Sequence, residues 1–119
     1  MIAVLFEVEP AASGADRCFA LAEELRPALE AIDGFLSVER FESRTRPGRY
    51  LSLSYWRDEA AVQRWRAAAG HRRAQHEGRS SLFAQYRIRV AEVLRDYGSA
   101  DRAAAPAGAR GGPRIPRAR

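Results

Sequence analysis

The stretch FLSVERFESRTRPGRYLSLSYWR, residues 35–57, decides the fold. It reads as two strands, 35–45 and 49–57, joined by Arg46-Pro47-Gly48. Pro presets one backbone angle of a turn, and Gly accepts the positive φ that other residues avoid. Two strands joined by so short a link pair as an antiparallel hairpin. In the second, Leu51, Leu53 and Tyr55 alternate with Ser52, Ser54 and Trp56, the two-residue period of a strand with distinct faces.

Both flanks of the hairpin turn helical. Upstream, Phe19, Ala22, Leu25, Leu29 and Ile32 recur every three or four residues and predict a helix over 14–32. Ser13 is placed to cap it, and Asp16 favours the positive end of its dipole. Pro27 removes a hydrogen bond to Glu23 and is expected to kink or split it. Asp33-Gly34 closes it. Before this helix, Ile2, Val4, Phe6 and Val8 alternate with Ala3, Leu5, Glu7 and Glu9, a strand that Pro10 ends.

Downstream, Asp58 caps a second helix with Ala61, Val62, Trp65 and Ala69 on one stripe, interrupted at Gly70. A short helical piece from His71 to about Glu77 and a loop through Gly78, Ser80 and Ser81 follow. Residues 82–95 make a last strand, with Ala84, Tyr86, Ile88 and Val90 on one face. The order β-α-β-β-α-β is the ferredoxin-like arrangement: an α+β fold with a four-stranded antiparallel sheet and two helices on one side.

The length fits one domain, read as residues 1–98, followed by a disordered Ala/Gly/Pro/Arg tail at 99–119. All 20 basic residues are Arg. Residues 1–98 carry 15 Arg against 14 acidic residues, whereas the tail carries five Arg against Asp101. The high pI therefore belongs to the tail, and no nucleic-acid-binding face is expected on the folded domain. Cys18 is the single cysteine, so no disulfide closes within the chain. The N-terminus has no signal-peptide pattern, and no apolar run nears the roughly 20 residues of a membrane span. These features predict a cytoplasmic protein.

With both helices on one side, the other face of the sheet is bare. We expect the face of Ile2, Val4, Phe6 and Val8, with that of Leu51, Leu53 and Tyr55, to point away from the helices and pack against a second copy. Glu7, Ser52, Ser54 and Trp56 would then face the helices, with Trp65 and His71 above, and line an internal pocket. In the alternative, the apolar face packs on the helices as an ordinary core, leaving Glu7, Ser52 and Ser54 in solvent.

Within such a pocket, Trp56 and Trp65 offer flat faces and an indole N–H to an aromatic ligand. Tyr86 offers a hydroxyl. His71, with a pKa near neutral, is a candidate base, and Glu7 on an inward face would have its pKa raised and accept a proton, unless an Arg such as Arg40 or Arg87 pairs with it. His71 and His76 are five apart, a poor spacing for a shared metal, so no metal site is expected.

The element order, Ile32-Asp33-Gly34-Phe35, Tyr55-Trp56-Arg57-Asp58-Glu59-Ala60, and Trp65 followed by His71 together resemble the antibiotic-biosynthesis-monooxygenase superfamily over about residues 1–97. The resemblance implies a homodimeric α+β barrel with a pocket in each subunit. One branch oxidises phenols to quinones with dioxygen and no metal or flavin. There Trp56 matches a Trp at the end of the third strand, and Ser52 stands where that branch has Asn. A second branch degrades haem. Trp65 matches its helical Trp, Glu7 replaces its first-strand Asn, and Gln75 takes the axial His position with His76 adjacent. The resemblance thus implies a cofactor-independent monooxygenase acting on a small electron-rich aromatic. Its alternatives are a non-catalytic ligand-binding or structural dimer and a haem-binding protein.

Overall fold

A computed structural model describes residues 1–12, 14–68 and 82–106. The chain runs β1 (Ile2–Pro10), α1 (Ala15–Glu30), β2 (Phe35–Glu42), β3 (Tyr50–Trp56), α2 (Glu59–Ala67) and β4 (Phe83–Glu92). The strands form one antiparallel sheet in the order β2-β3-β1-β4. The ferredoxin-like order read from the sequence is the observed one.

Local chemistry accounts for the element ends. The position before α1 is Gly14, which makes no side-chain cap. Ser13, the expected cap, lies outside the described residues. Pro27 sits inside α1 without splitting it, since the helix continues to Glu30. Gly34 turns the chain into β2 with φ +97, and a Cβ there would lie 2.6 Å from Ala61 Cβ. Asp58 caps α2 by accepting a 2.9 Å hydrogen bond from the Ala61 N–H. The hairpin turn is wider than the sequence suggests, because Ser43 Oγ captures the Arg46 N–H at 3.0 Å and ends β2 at Glu42.

Register decides which residues share a face. Cross-strand partners point the same way, and Ile2, Val4, Phe6 and Val8 stand opposite Trp56, Ser54, Ser52 and Tyr50. This face meets the helices. Trp56, Ala61 and Val62 are buried together, with Ile2, Val4, Leu29, Ile32, Phe35 and Trp65 packed against them. The other face carries Ala3, Leu5 and Glu7 opposite Tyr55, Leu53 and Leu51.

The expected assignment of faces is therefore corrected for β1. Its apolar row packs on the helices, and Glu7 points away from them. The assignment for β3 stands: Ser52, Ser54 and Trp56 face the helices, and Leu51, Leu53 and Tyr55 do not. Each strand's alternation was legible, but its phase against its neighbour was not.

Beyond β4, Gly98 N–H donates to the Asp101 carbonyl at 2.7 Å, and the Arg102 guanidinium lies 5.5 Å from the Tyr97 ring centroid. No helix among the described residues is long and apolar enough to cross a membrane.

Candidate functional site

The helix side of the sheet has two unlike ends. At one end Trp56 is 2% exposed and meets Phe35 edge-on, with ring centroids 5.3 Å apart. Its indole N–H donates to Ser54 Oγ at 2.9 Å. The hydroxyl of Ser54 is itself buried. These two expected ligand contacts thus hold each other, and they form a fixed polar element within the core. Trp65, from α2, packs on the same cluster.

At the other end the sheet is aromatic and open. Phe6, Phe83 and Tyr86 form a triangle with centroids 5.6, 6.1 and 5.7 Å apart and tilted or edge-on planes. Tyr86 is 45% exposed. Ser52 is half-buried directly across from Phe6, on the same face. Tyr50 continues the row of Ser52 and meets Phe19 of α1 edge-on at 5.0 Å. The chain between α2 and β4 passes through residues 69–81, which lie outside the described residues and include His71.

Phe6 and Phe83 are the members that reading the sequence missed. Phe83 is three residues before Tyr86, a spacing that puts the two on opposite faces of a regular strand. The β1–β4 pairing slips between Glu9 and Pro10, so Pro10 stands opposite Phe83 while Glu9 stands opposite Gln85. This irregularity lets Phe83 join Tyr86 on the helix side. Pro10, which cannot donate to a ladder, was the available signal.

Glu7 does not belong to this group. It lies on the opposite face, where Arg49 Nη2 donates to one carboxylate oxygen at 2.8 Å and Arg89 Nη1 to the other at 3.1 Å. The hydrogen bond from Arg49 is the main cause holding its pKa below the usual carboxylate range. Partial desolvation opposes this, and the charge of Arg89 adds to it. The expectation of Glu7 as a proton acceptor in the pocket is corrected: it faces away from the helices and is paired with Arg, through Arg49 and Arg89 and not the expected Arg40 or Arg87, so its pKa falls. The same placement puts the sheet between Glu7 and Trp65, while Gln75 and His76 lie outside the described residues. Among the described residues no His, Cys, Asp or Glu cluster is placed to hold a metal ion.

The two ends are braced beyond the core. Arg57, at the end of β3, donates to both oxygens of Asp33 at 3.2 and 3.1 Å, and Arg64 of α2 donates to the Asp33 carbonyl at 2.7 Å. These bonds tie the α1–β2 turn to α2, beside the Gly34–Ala61 contact.

Residues 1–77 match the family model described as antibiotic biosynthesis monooxygenase. The chain belongs to the antibiotic biosynthesis monooxygenase family. It is 46% identical over 93 residues to a Pyricularia oryzae protein named jasmonate monooxygenase ABM, covering 78% of this chain and 43% of that one. It is 40% identical over 62 residues to an uncharacterized Bacillus subtilis protein, covering 52% and 53%. The chain thus spans about half the length of these curated relatives. Among solved structures, a Deinococcus radiodurans protein titled a putative antibiotic biosynthesis monooxygenase superposes with a TM-score of 0.73 at 19% identity, covering 82% of this chain and 97% of that one. A Mycobacterium tuberculosis protein superposes equally well, at 18% identity over 82% and 98%. These distant likenesses speak for the antibiotic biosynthesis monooxygenase fold alone.

Proposed function

We propose that this chain is a cofactor-independent monooxygenase that oxidises a small electron-rich ring compound, a phenol or quinol, on the helix side of its sheet. The observation that carries this reading is the open aromatic triangle of Phe6, Phe83 and Tyr86 beside Ser52, in a family of monooxygenases. Three rings presenting edges and faces to one another offer a flat ligand both kinds of contact. Ser52 donates a hydrogen bond to the ring oxygen, a role that its hydroxyl fills with one donor. The Trp56–Ser54 pair and Trp65 support this floor from the core side. His71, which lies between α2 and β4 in the sequence, takes the phenolic proton.

A phenol oxidised to a quinone supplies its own electrons. Dioxygen gives one atom to the ring carbon, and the other leaves as water with the two hydrogens lost. The protein's part is to exclude water, orient the ring and hold the proton. The name of the Pyricularia oryzae relative supports monooxygenation, and it adds small ring-containing acids to the compounds worth testing. The working unit is a homodimer, since the sheet face opposite the site carries Leu5, Leu51, Leu53 and Tyr55 with no helix over it among the described residues.

The test is oxygen consumption with a panel of quinols, naphthols and jasmonic acid, with isotope-labelled dioxygen to count atoms transferred. Turnover with one labelled atom in the product, reduced at least ten-fold in Tyr86→Ala and His71→Ala, is the expected result. Binding of panel compounds without any oxygen uptake favours the second reading, a non-catalytic ligand-binding dimer, which the Ser at position 52 keeps open. A Soret band on haem titration would overturn the cofactor-independent reading.

A further inference from the structure

Strand register fixes what stands beside Ser52 on the helix side of the sheet. Arg40 of β2, Ser52 of β3, Phe6 of β1 and Ile88 of β4 are successive cross-strand partners and form one row. Arg40 and Ser52 are direct neighbours in it, which sets their Cβ atoms about 4.5–5.5 Å apart. The aromatic triangle begins on the other side of Ser52, at Phe6. Of the arginines in the four strands, Arg40 alone faces the helices. Arg87 and Arg89 stand opposite Glu7 and Leu5, on the other face.

The Arg40 guanidinium lies 5.2 Å from the centroid of the Phe19 ring. Phe19 meets Tyr50 edge-on at 5.0 Å, and Tyr50 is two residues from Ser52 on the same face of β3. The cation is thus held against α1, above the sheet. Its ion pair is loose, since Glu23 Oε1 lies at 3.8 Å, beyond hydrogen-bond length, on a mostly exposed side chain. An exposed pair of this kind contributes little, and the guanidinium keeps N–H donors for another acceptor.

We propose that Arg40 is the counter-ion of the substrate's phenolate, sharing with Ser52 the oxygen that has lost its proton. The inference rests on the phenol reading above and adds the charged form in which the ring is held.

A ring lying against Phe6, Phe83 and Tyr86 with its oxygen at Ser52 has that oxygen between the serine hydroxyl and Arg40. Ser52 supplies one neutral donor. The guanidinium supplies charged donors in a planar fork, and such bonds are roughly twice as strong as neutral ones. An opposite charge at this range lowers an acid's pKa by about 1–3 units. The proton passes to His71, the electron pair stays on the oxygen, and Arg40 balances its charge. More of the bound ring is then ionised at neutral pH, and the ionised ring is the form that gives electrons to dioxygen. Glu23 of α1 and Glu42 of β2 are the acidic groups on this side of Arg40, and Glu42 accepts from the Gly48 N–H at 3.3 Å. Tyr50 and Tyr86 are the titratable groups beside the ring site, and β1 and β4 add only apolar side chains to the rows around Ser52. The acidic groups oppose ionisation, so among the described residues Arg40 is the group that favours it.

The test uses 4-nitrophenol, which is yellow only as its phenolate, titrated across acid and neutral pH with the full chain in excess. Wild type is expected to raise the acid dissociation constant of the bound phenol about ten-fold over the free one. Arg40→Gln is expected to abolish the shift and Arg40→Lys to keep part of it. Arg44→Gln, which removes a charge from the adjoining turn, is expected to leave it intact. Arg40→Met, which keeps a stem over Phe19, replaces the Gln variant if that protein fails to fold. With a quinol that turns over, the pH profile of kcat/KM is expected to move to higher pH in Arg40→Gln. Bound 4-nitrophenol that ionises like the free phenol, or a shift that survives in Arg40→Gln, overturns the proposal and leaves the ring site standing. Benzoate binding that depends on Arg40, with no shift for 4-nitrophenol, assigns the guanidinium to a carboxylate and overturns it as well. Wild type that binds no 4-nitrophenol removes the ring site itself, and the role of Arg40 with it.

Discussion

Trp56 donates its indole N–H to the hydroxyl of Ser54, two residues earlier on the same face of β3, at 2.9 Å. Both side chains are buried, at 2% and 9% exposure. A buried donor without a partner costs about 1–3 kcal/mol, more than the bond contributes when made. Ser54→Ala is therefore expected to lower unfolding stability by about 1–3 kcal/mol in urea titration. Pairing it with Trp56→Phe, which removes the donor, should give a double variant less destabilised than the sum of the two singles. Strict additivity would mean that the bond contributes nothing.

Gly34 carries φ +97, and a Cβ placed there lies 2.6 Å from that of Ala61. Gly34→Ala suffers from both the backbone and the clash, and we expect a loss of roughly 2–4 kcal/mol. Ala61→Gly in the Gly34→Ala background removes the clash but leaves the backbone strain. Partial recovery of the melting temperature is expected; full recovery would show that the positive φ is cost-free.

Glu7 has its pKa depressed in the folded protein, chiefly by the hydrogen bond from Arg49. A depressed carboxylate contributes stability above its unfolded pKa, about 4.3 for Glu, and loses it as pH falls through the folded value. Wild type should therefore melt above Glu7→Gln at pH 7, with the gap closing below roughly pH 4. Asp33 and Asp58 are also depressed, by Arg57 and by the Ala61 N–H respectively, but they are common to both proteins and cancel in the difference. A gap that widens on acidification would contradict the ion-pair assignment.

Phe83 reaches the candidate site only because of the irregular pairing beside Pro10. Phe83→Ala removes one ring of the triangle while leaving Ser52 and Trp56 in place. We expect KM for an aromatic substrate to rise about ten-fold with kcat changed less than three-fold, the pattern of lost ring binding. Equal losses in kcat and kcat/KM would place Phe83 in the chemistry instead.

The helices, the strands and their order were legible because each rests on local patterns: period two in Leu51–Trp56, a three-to-four-residue period from Phe19 to Ile32, and caps such as Asp58. Ser52, Ser54 and Trp56 were placed on the helix side for the same reason, and the structure has them there. Glu7 was misplaced, and Phe6 and Phe83 were missed, because their positions depend on a neighbouring strand.

The sequence by itself determined the element order and the two faces of every strand, since backbone geometry alone alternates side chains. Only the tertiary structure decided which face of β1 joins which face of β3. The pairing Ile2 opposite Trp56 puts the apolar row of β1 beneath the helices and turns Glu7 outward to Arg49 and Arg89. A shift of one residue reverses a strand's faces, and the packing of Ile2 and Val4 against the cluster of Trp56, Ala61 and Val62 selects the observed one. That selection involves contacts from distant parts of the chain, which no local pattern encodes.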